Sequence, residues 1–391
     1  MAAVSSKRPA RKVRVEFRQN RQVRRRIDDW TQRYRAGDDA VLDTRRSESV
    51  RAKGDLSRKR TILVDEHEAP LVDESQWRAG TVTKVHGLVV YVTDEAGGRW
   101  ECTVRRVLRT RLIESRAPLC VGDRVWVSDQ SKVLDGRPTG VVERVAPRRS
   151  TLARRDRRQR AHSLVANADQ LLAVVSVAQP RLPPHLVDRY IVAALKGQLT
   201  PVLCFNKMDL LADNPPTDED EETPVRHSAA EAIDEFRQLG YRCLCTSVVT
   251  GAGLAELRDV LRGHLTVLSG QSGVGKSSLL NALQPGLNLR VQEVSDENEK
   301  GRHTTTLAEL LPLDFGGFVV DTPGIRAFDL WSVAPGELEA CFVEFVPHLQ
   351  HCRFKNCLHR DEDGCAVRAA VEAGRISTRR YYSYLKMFDE V

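Results

Sequence analysis

Short segments in which apolar and polar residues alternate run from residue 78 to residue 148. Such alternation, interrupted by Gly and Asp, is typical of β-strands that bury one face and are joined by tight turns. The five predicted strands are residues 80–85, 88–92, 100–104, 124–127 and 141–145. They predict a small closed β-barrel of the OB type, a fold whose exposed face commonly meets oligonucleotides.

Continuous apolar runs replace the alternating pattern after residue 165. These runs are short enough to be buried strands, and they occupy residues 171–177, 202–205, 241–245, 265–269 and 317–320. Helical patterns such as residues 278–283 lie between or after them. The sequence therefore predicts a multidomain α/β protein in which a parallel sheet is covered by helices.

The composition limits the class of protein. A chain of 391 residues exceeds one comfortable core and predicts two or three domains. The apolar run at residues 171–178 is too short to cross a bilayer, and the first residues lack the apolar core of a secretory signal. We therefore expect a soluble, cytoplasmic protein without a membrane partner, in which the nine cysteines are reduced.

Positive charge is concentrated near the N-terminus. Residues 1–60 contain 19 Lys and Arg against 8 Asp and Glu, whereas the whole chain has a net charge of +7. Because the segment lacks sustained apolar periodicity, residues 1–74 are predicted to be a basic, largely disordered extension. This extension either contacts a phosphate-rich partner such as RNA or is a solvated tail without a specific target.

A phosphate-binding loop is the clearest chemical signal. Residues 270–277 fit G-x-x-x-x-G-K-[ST], in which backbone N–H groups surround phosphates, the lysine reaches the outer phosphates and the hydroxyl binds Mg²⁺. A predicted strand enters the loop and a predicted helix leaves it, as the motif requires. The residues predicted to contact nucleotide are Gly270, Gln271, Ser272, Gly273, Val274, Gly275, Lys276, Ser277 and Ser278, of which Ser277 also binds Mg²⁺.

A base-reading motif lies upstream of this loop. Asn206, Lys207 and Asp209 follow an apolar run in the pattern N-K-x-D, and the aspartate can accept two N–H bonds from guanine but not from adenine. Thr246 and Ser247 follow the next apolar run, and the Ser247 amide is predicted to face the base, with a plain exit from a strand as the alternative. We therefore expect GTP to be preferred over ATP.

Asp321 ends another apolar run and begins the sequence Asp-Thr-Pro-Gly. We predict that Asp321 holds Mg²⁺ through water and that the Gly324 amide faces the γ-phosphate. The base-reading motif precedes the phosphate-binding loop, which reverses the order of an ordinary GTPase. A parallel sheet tolerates this reversal because strand adjacency and helix burial hold it together, so the sequence predicts a circularly permuted P-loop domain.

A cluster of metal-binding residue types near the C-terminus has the pattern C-x4-C-x-H-x5-C: Cys352, Cys357, His359 and Cys365. Three thiolates and an imidazole suit a tetrahedral Zn²⁺, and four protein ligands leave no open position, so we predict one structural zinc site. His348 and His351 are alternative nitrogen donors, and simple burial of the cysteines is the alternative for the whole cluster.

These motifs together resemble the RsgA family, the circularly permuted GTPases that depend on the small ribosomal subunit. The resemblance rests on GQSGVGKSS from Gly270, GRHTTT from Gly301, DTPGI from Asp321 and the Cys/His cluster. It implies an OB-fold domain at residues 75–150, a permuted GTPase domain at 151–335 and a zinc-binding helical domain at 336–391. It also implies binding to the small subunit and its rRNA, GTP hydrolysis there during late ribosome assembly, and departure afterwards; we expect a monomer.

The residues after the second switch glycine indicate slow intrinsic hydrolysis. Ile325 stands where many GTPases have a glutamine that orients the attacking water. The resemblance implies that His303 positions this water on the ribosome; contact with RNA or a loop-capping role is the alternative. Among the three threonines that follow His303, we choose Thr305 as the second protein ligand of Mg²⁺.

Two further functions remain open at this point. One is a permuted GTPase that acts on the large ribosomal subunit, which the predicted barrel and the Cys/His cluster argue against. The other is an RNA-binding scaffold that holds nucleotide without turnover. The C-terminal residues 379–385 mix Arg and Tyr as RNA-facing segments do, but Tyr and Leu at helical spacing more often pack a core.

Overall fold

The structure, a computed structural model, describes residues 11–16, 59–64, 77–87, 89–105, 108, 119–134, 137–155, 161–180, 182, 184–211, 228–289, 308–321 and 335–390. The chain divides between Pro147 and Arg148 into two units, which are described separately. In the N-terminal extension, β1 (Arg11–Glu16) pairs antiparallel with β2 (Lys59–Val64). The other residues up to 74 lie outside the described ranges, so the disorder predicted for them stays a prediction.

Five strands form a closed barrel in the first unit: β3 (Arg78–His86), β4 (Val89–Asp94), β5 (Arg99–Val104), β6 (Arg124–Leu134) and β7 (Arg137–Val145). All neighbours are antiparallel except β5 and β7, and pairing of β3 with β6 closes the ring. Alternate residues such as Val92, Cys102 and Val127 fill the core. Gly140 is required in β7 because a Cβ would lie 2.3 Å from Val127 Cγ1. The predicted five-stranded OB-type barrel is confirmed.

The second unit begins with an antiparallel ribbon of β8 (Thr151–Arg155) and β9 (Ala161–Ala166). Its sheet contains β10 (Gln170–Ser176), β11 (Thr200–Asn206), β12 (Arg242–Cys245), β13 (Leu265–Ser269), β14 (Glu309–Pro312) and β15 (Phe318–Asp321). These strands lie in the order β12-β11-β10-β13-β15-β14, and all pairs are parallel except β14 with β15. The sequence predicted the parallel strands but not β14.

Helices of the second unit cover this sheet: α1 (Pro184–Lys196), α2 (Ala229–Gln238), α3 (Leu254–Leu261) and α4 (Lys276–Leu283). Leu257 of α3 and Leu279 of α4 share a buried cluster with Leu172, Cys204 and Leu268 of the strands. Ser228 and Glu231 form a capping box at the start of α2, which satisfies backbone N–H groups of its first turn.

Four helices complete the C-terminal part of the second unit: α5 (Pro335–Ala340), α6 (Val346–Leu349), α7 (Ala366–Glu372) and α8 (Thr378–Phe388). Their core contains Phe342, Phe345 and Tyr384, and Val192 of α1 belongs to the same cluster. α8 buries Arg379, Arg380, Ser383, Tyr384 and Met387, which lie three or four residues apart on one helix face. Of the two interpretations of this segment, core packing is the one observed.

The division into two units does not decide the predicted domain limits. It separates the chain once, between residues 147 and 148, and residues 148–391 are described as one unit. The domain limits at 75, 150 and 335 therefore stay predictions. Among the residues that the structure describes, no helix is long and apolar enough to cross a membrane.

Candidate functional site

The carboxyl ends of four parallel strands meet at one edge of the sheet. β10 pairs with β11 so that Ser176 lies beside Asn206, and β13 pairs with β15 so that Leu268 lies beside Asp321. β10 also pairs with β13, from which residues 270–277 follow directly. Ligands of open α/β sheets bind at such an edge, so the fold brings the predicted base-reading and phosphate-binding segments together.

Asn206 joins the two segments through its side-chain amide. It is 2 % exposed, its Nδ2 donates to the Val274 carbonyl oxygen at 2.8 Å, and its Oδ1 accepts from Thr246 Oγ1 at 3.1 Å. Gly275 lies against this amide with a φ of 97°, and a Cβ there would be 2.4 Å from Asn206 Nδ2. The side chain of Asn206 therefore connects both loops, and only glycine fits beside it.

Lys207 and Asp209 directly follow β11 at the same edge of the sheet. Lys207 has a left-handed backbone with a φ of 63°, and its Nζ donates to the Gln179 carbonyl oxygen. Burial lowers the pKa of Lys207, while the nearby Asp209 carboxylate opposes that shift. Asp209 Oδ1 accepts from Ser247 Oγ at 2.5 Å, a bond that fixes the plane of the carboxylate.

The predicted role of the Ser247 amide does not fit the structure. Its N–H donates to the Ala252 carbonyl oxygen at 3.0 Å, because residues 247–252 form a turn closed by its own hydrogen bonds. The Ser247 hydroxyl also accepts from the Thr250 amide at 3.2 Å. The next amide, that of Val248, donates to no atom of the described residues, and the Val248 side chain is 36 % exposed. Ser247 thus orients Asp209 through its hydroxyl.

The phosphate-binding loop surrounds the amine of its own lysine. Lys276 Nζ donates to the carbonyl oxygens of Gly270 and Gln271 at 2.7 and 2.8 Å. Gly270 has a φ of 149°, and a Cβ there would lie 2.1 Å from the Val174 carbonyl oxygen. α4 begins at Lys276, and the positive end of a helix together with a lysine favours a phosphate. The remaining predicted residues lie in this loop or in the first turn of α4: Ser272, Gly273, Val274, Gly275, Ser277 and Ser278.

The predicted Mg²⁺ and water-positioning groups are described only in part. Asp321 is the last residue of β15, so its backbone lies at the same sheet edge as the phosphate-binding loop. His303, Thr305 and Gly324 lie outside the described residues. Their predicted roles therefore stay predictions.

The four residues of the predicted metal cluster converge in the C-terminal part. The ligand atoms of Cys352, Cys357, His359 and Cys365 all lie within 4.8 Å of one another. His359 Nδ1 is 3.7 Å from Cys352 Sγ and 3.4 Å from Cys365 Sγ. Tetrahedral zinc with bonds of about 2.3 Å to sulfur and about 2.1 Å to nitrogen places such atoms about 3.5 Å apart. The donor set therefore fits Zn²⁺, and of the candidate nitrogen donors His359 is the one in the cluster.

Groups around the cluster orient its histidine. His359 Nε2 is 2.9 Å from Glu339 Oε2, and the Tyr381 hydroxyl donates to the His359 carbonyl oxygen at 2.6 Å. A carboxylate on the second ring nitrogen is the usual partner of a metal-bound histidine. Sequence reasoning missed Glu339, because it lies 20 residues before His359 on a separate helix and outside any ligand pattern.

Burial disfavours the thiolates unless a cation compensates them. Burial raises the pKa of the Cys357 thiol to about 12, and it also raises the pKa of Cys365. A bound Zn²⁺ requires deprotonated thiols and supplies the compensating charge. Binding of Zn²⁺ by these residues would therefore release protons.

Comparison with known proteins identifies the family to which the chain belongs. Residues 145–331 match the RsgA GTPase family. The chain is 42 % identical over 314 residues to the small ribosomal subunit biogenesis GTPase RsgA of Gemmatimonas aurantiaca, a match that covers 80 % of this chain and 97 % of the relative. The chain belongs to the RsgA GTPase family. The protein of the same name from Thermotoga petrophila is 40 % identical over 315 residues, with the same shares of both chains covered.

Solved structures agree with membership of the RsgA family. YjeQ from Thermotoga maritima is similar with a TM-score of 0.60 and 37 % identity, covering 80 % of this chain and 98 % of that one. YloQ, a circularly permuted GTPase, is similar with a TM-score of 0.60 and 28 % identity, covering 82 % and 97 %. The predicted permuted GTPase fold and the GTPase activity are confirmed, and the RsgA family implies GTP and Mg²⁺.

Proposed function

We propose that this chain binds the small ribosomal subunit, hydrolyses GTP on it during late ribosome assembly, and leaves after hydrolysis. The observation that carries the proposal is the shared name of its relatives, small ribosomal subunit biogenesis GTPase, at about 40 % identity over most of both chains. Contact with rRNA, a cytoplasmic location and a monomeric state are parts of the same proposal.

The base-reading edge supports guanine recognition by particular atoms. Asp209 accepts from N1–H and the 2-amino group of guanine, and the Ser247 hydroxyl holds the carboxylate in plane. The Val248 amide takes the role first predicted for Ser247 and donates to the guanine O6. Asn206 and Thr246 keep this loop against the phosphate-binding loop.

The other half of the edge holds the phosphates. Backbone amides of residues 270–278 and the Lys276 amine bind the β- and γ-phosphates, as the loop geometry supports. Ser277 and Thr305 hold Mg²⁺, which when bound neutralises phosphate charge, and Asp321 holds it through water. The Gly324 amide faces the γ-phosphate. The four Cys/His residues described above hold one structural Zn²⁺.

We assign His303 as the residue that positions the attacking water once the small subunit is bound. The aliphatic Ile325 cannot perform this role, so turnover by the isolated protein is expected to be slow. A stimulated GTPase gains up to about 10⁵-fold when missing groups are supplied or ordered. Binding to the subunit is therefore expected to complete the site.

Phosphate release by the full chain tests the proposal. GTP turnover is measured alone, with purified small subunits and with purified large subunits at equal concentrations. The proposal expects stimulation of about 10²-fold or more by the small subunit and little by the large one. Selective stimulation by the large subunit favours a permuted GTPase that acts on that subunit. GTP binding without turnover under any condition favours an RNA-binding scaffold.

A variant separates the two roles of His303. His303→Ala is titrated with small subunits while GTP turnover is followed. A catalytic role predicts a lower maximal rate at an unchanged half-saturating subunit concentration. A role in RNA contact predicts a higher half-saturating concentration with an unchanged maximal rate, and stimulation equal to that of the unchanged protein refutes both.

A further inference from the structure

A buried network of charges joins the last helix to the GTPase helices. Arg379, Arg380 and Asp188 have side chains that are 5 %, 1 % and 0 % exposed. Arg379 Nη1 and Arg380 Nη1 donate to the two carboxylate oxygens of Asp188 in α1 at 3.1 and 2.5 Å. Arg379 Nε also donates to Glu235 of α2 at 2.7 Å, and Arg380 binds Glu344 through two hydrogen bonds. Two adjacent residues of α8 therefore contact both α1 and α2.

The same two arginines lie against rings that lead to the base-reading loop. The guanidinium carbons of Arg379 and Arg380 are 5.1 and 5.9 Å from the centre of the Phe236 ring in α2. The Phe236 ring is in turn 6.3 Å from the ring of Phe205, which directly precedes Asn206 at the end of β11. A short chain of packed groups thus connects α8 with the residue that joins the two loops.

A second connection runs through α1. Asp188 lies in the second turn of this helix. Gln179, which precedes the helix in sequence, supplies the carbonyl oxygen that accepts from Lys207 Nζ. The arginine pair fixes α1 at Asp188. The pair therefore holds Phe236, a neighbour of the base-reading loop, and it also holds the helix that follows Gln179 in sequence.

We propose that Arg379 and Arg380 are positioning residues for guanine recognition, so that the C-terminal helix sets the geometry with which Asp209 reads the base. The inference rests on the proposed base contacts of Asp209. It assigns to α8 a part in nucleotide specificity, in addition to its part in the core. Among the described residues, neither arginine is hydrogen-bonded to the phosphate-binding loop itself, so the test compares nucleotides that differ only in the base.

Inosine diphosphate tests this role because it lacks the 2-amino group that Asp209 reads. The unchanged protein is expected to bind GDP about 10-fold to 150-fold more tightly than IDP, the value of one hydrogen bond to a charged group. Arg380→Met is expected to reduce this ratio by about 2-fold or more, at most to equal affinities for GDP and IDP, while the ratio of GDP to GTP affinity stays unchanged. Affinities are measured on the full chain by competition with a fluorescent GDP.

The ratio separates positioning from loss of folded protein. A smaller folded fraction weakens GDP and IDP binding by the same factor and leaves their ratio unchanged. The matched control is Lys196→Met, which removes the bond of Lys196 Nζ to Glu337 Oε2 at 2.5 Å between α1 and α5, at the exposed rim. This control is expected to keep the original GDP to IDP ratio.

Two further variants cover failure of Arg380→Met to fold. The double variant Asp188→Leu with Arg380→Met removes both partners of the shortest ion pair in this network. Phe236→Leu keeps every charge but removes the aromatic ring beside the arginines. A reduced ratio in any folded variant, with Lys196→Met unchanged, supports the inference. An unchanged ratio in the folded variants, or an equal loss in Lys196→Met, overturns it. Absence of guanine preference in the unchanged protein instead refutes the proposed base site.

Discussion

Replacement of Gly275 by alanine tests the contact between the two loops of the nucleotide site. A Cβ at this position would lie 2.4 Å from Asn206 Nδ2, whereas ordinary contacts begin at 3.4 Å, so the amide must move by about 1 Å. The φ of 97° adds strain of about 1–2 kcal/mol for a residue with a side chain. Displacement also breaks the buried bond from Asn206 to the Val274 carbonyl oxygen, which costs about 1–3 kcal/mol.

Together these terms predict that Gly275→Ala lowers the free energy of unfolding by about 2–5 kcal/mol. Urea denaturation of the full chain measures this change, and titration with a fluorescent GDP measures the accompanying loss of affinity. Gly286→Ala is the matched control, because a Cβ there meets nothing within 4 Å; its effect is expected to stay within about 0.5 kcal/mol. Unfolding and GDP affinity of Gly275→Ala equal to those of the control would refute the reasoning.

Three more outcomes are expected. Asp209→Asn should lose affinity for GDP and gain it for xanthosine diphosphate, because an amide N–H suits the 2-oxo group of xanthine; nucleotide titration that shows unchanged GDP affinity contradicts this. Cys357→Ser should lose bound zinc in a metal assay and melt at a lower temperature. Cys341→Ser is the control, because Cys341 lies in the same apolar core but outside the metal site, and it should keep its zinc. Burial alone would raise the pKa of Asp188, but Arg380 and Arg379 hold it below its usual value. The stability from this carboxylate is therefore present above about pH 4 and lost as the pH falls through the lowered pKa, so Asp188→Asn should flatten the acid limb of unfolding free energy against pH.

The sequence predicts those parts of the site whose geometry is local. A strand followed by a glycine-rich loop and a helix determines where backbone amides point, so the spacing of residues 270–278 and the elements around them predict a phosphate-binding loop. The Cys/His cluster was predicted for the same reason, because all four residues lie within one short segment. The barrel strands were predicted because alternation of apolar residues reports a buried face directly.

Contacts between distant residues were beyond such reasoning. Arg379 and Arg380 are charged, and no residue near them in sequence indicates that they bind the buried carboxylate of Asp188. The Ser247 amide donates to a carbonyl oxygen within the turn of residues 247–252. A pattern of strand followed by loop does not specify this hydrogen bond. Sequence reasoning therefore identified residue types and missed partners that only tertiary structure supplies.

The distance in sequence between Asp188 and its arginine partners affects the order in which the chain folds during translation. Arg379 is 191 residues away in sequence, a length that a translating ribosome adds in about 10–40 s. The strands up to β15 can pair during this interval, since the last of them ends at Asp321. We expect nascent chains to pass through a stage in which the sheet is formed while this carboxylate remains hydrated. Closure of the final helix over it would then be a late event in biosynthesis.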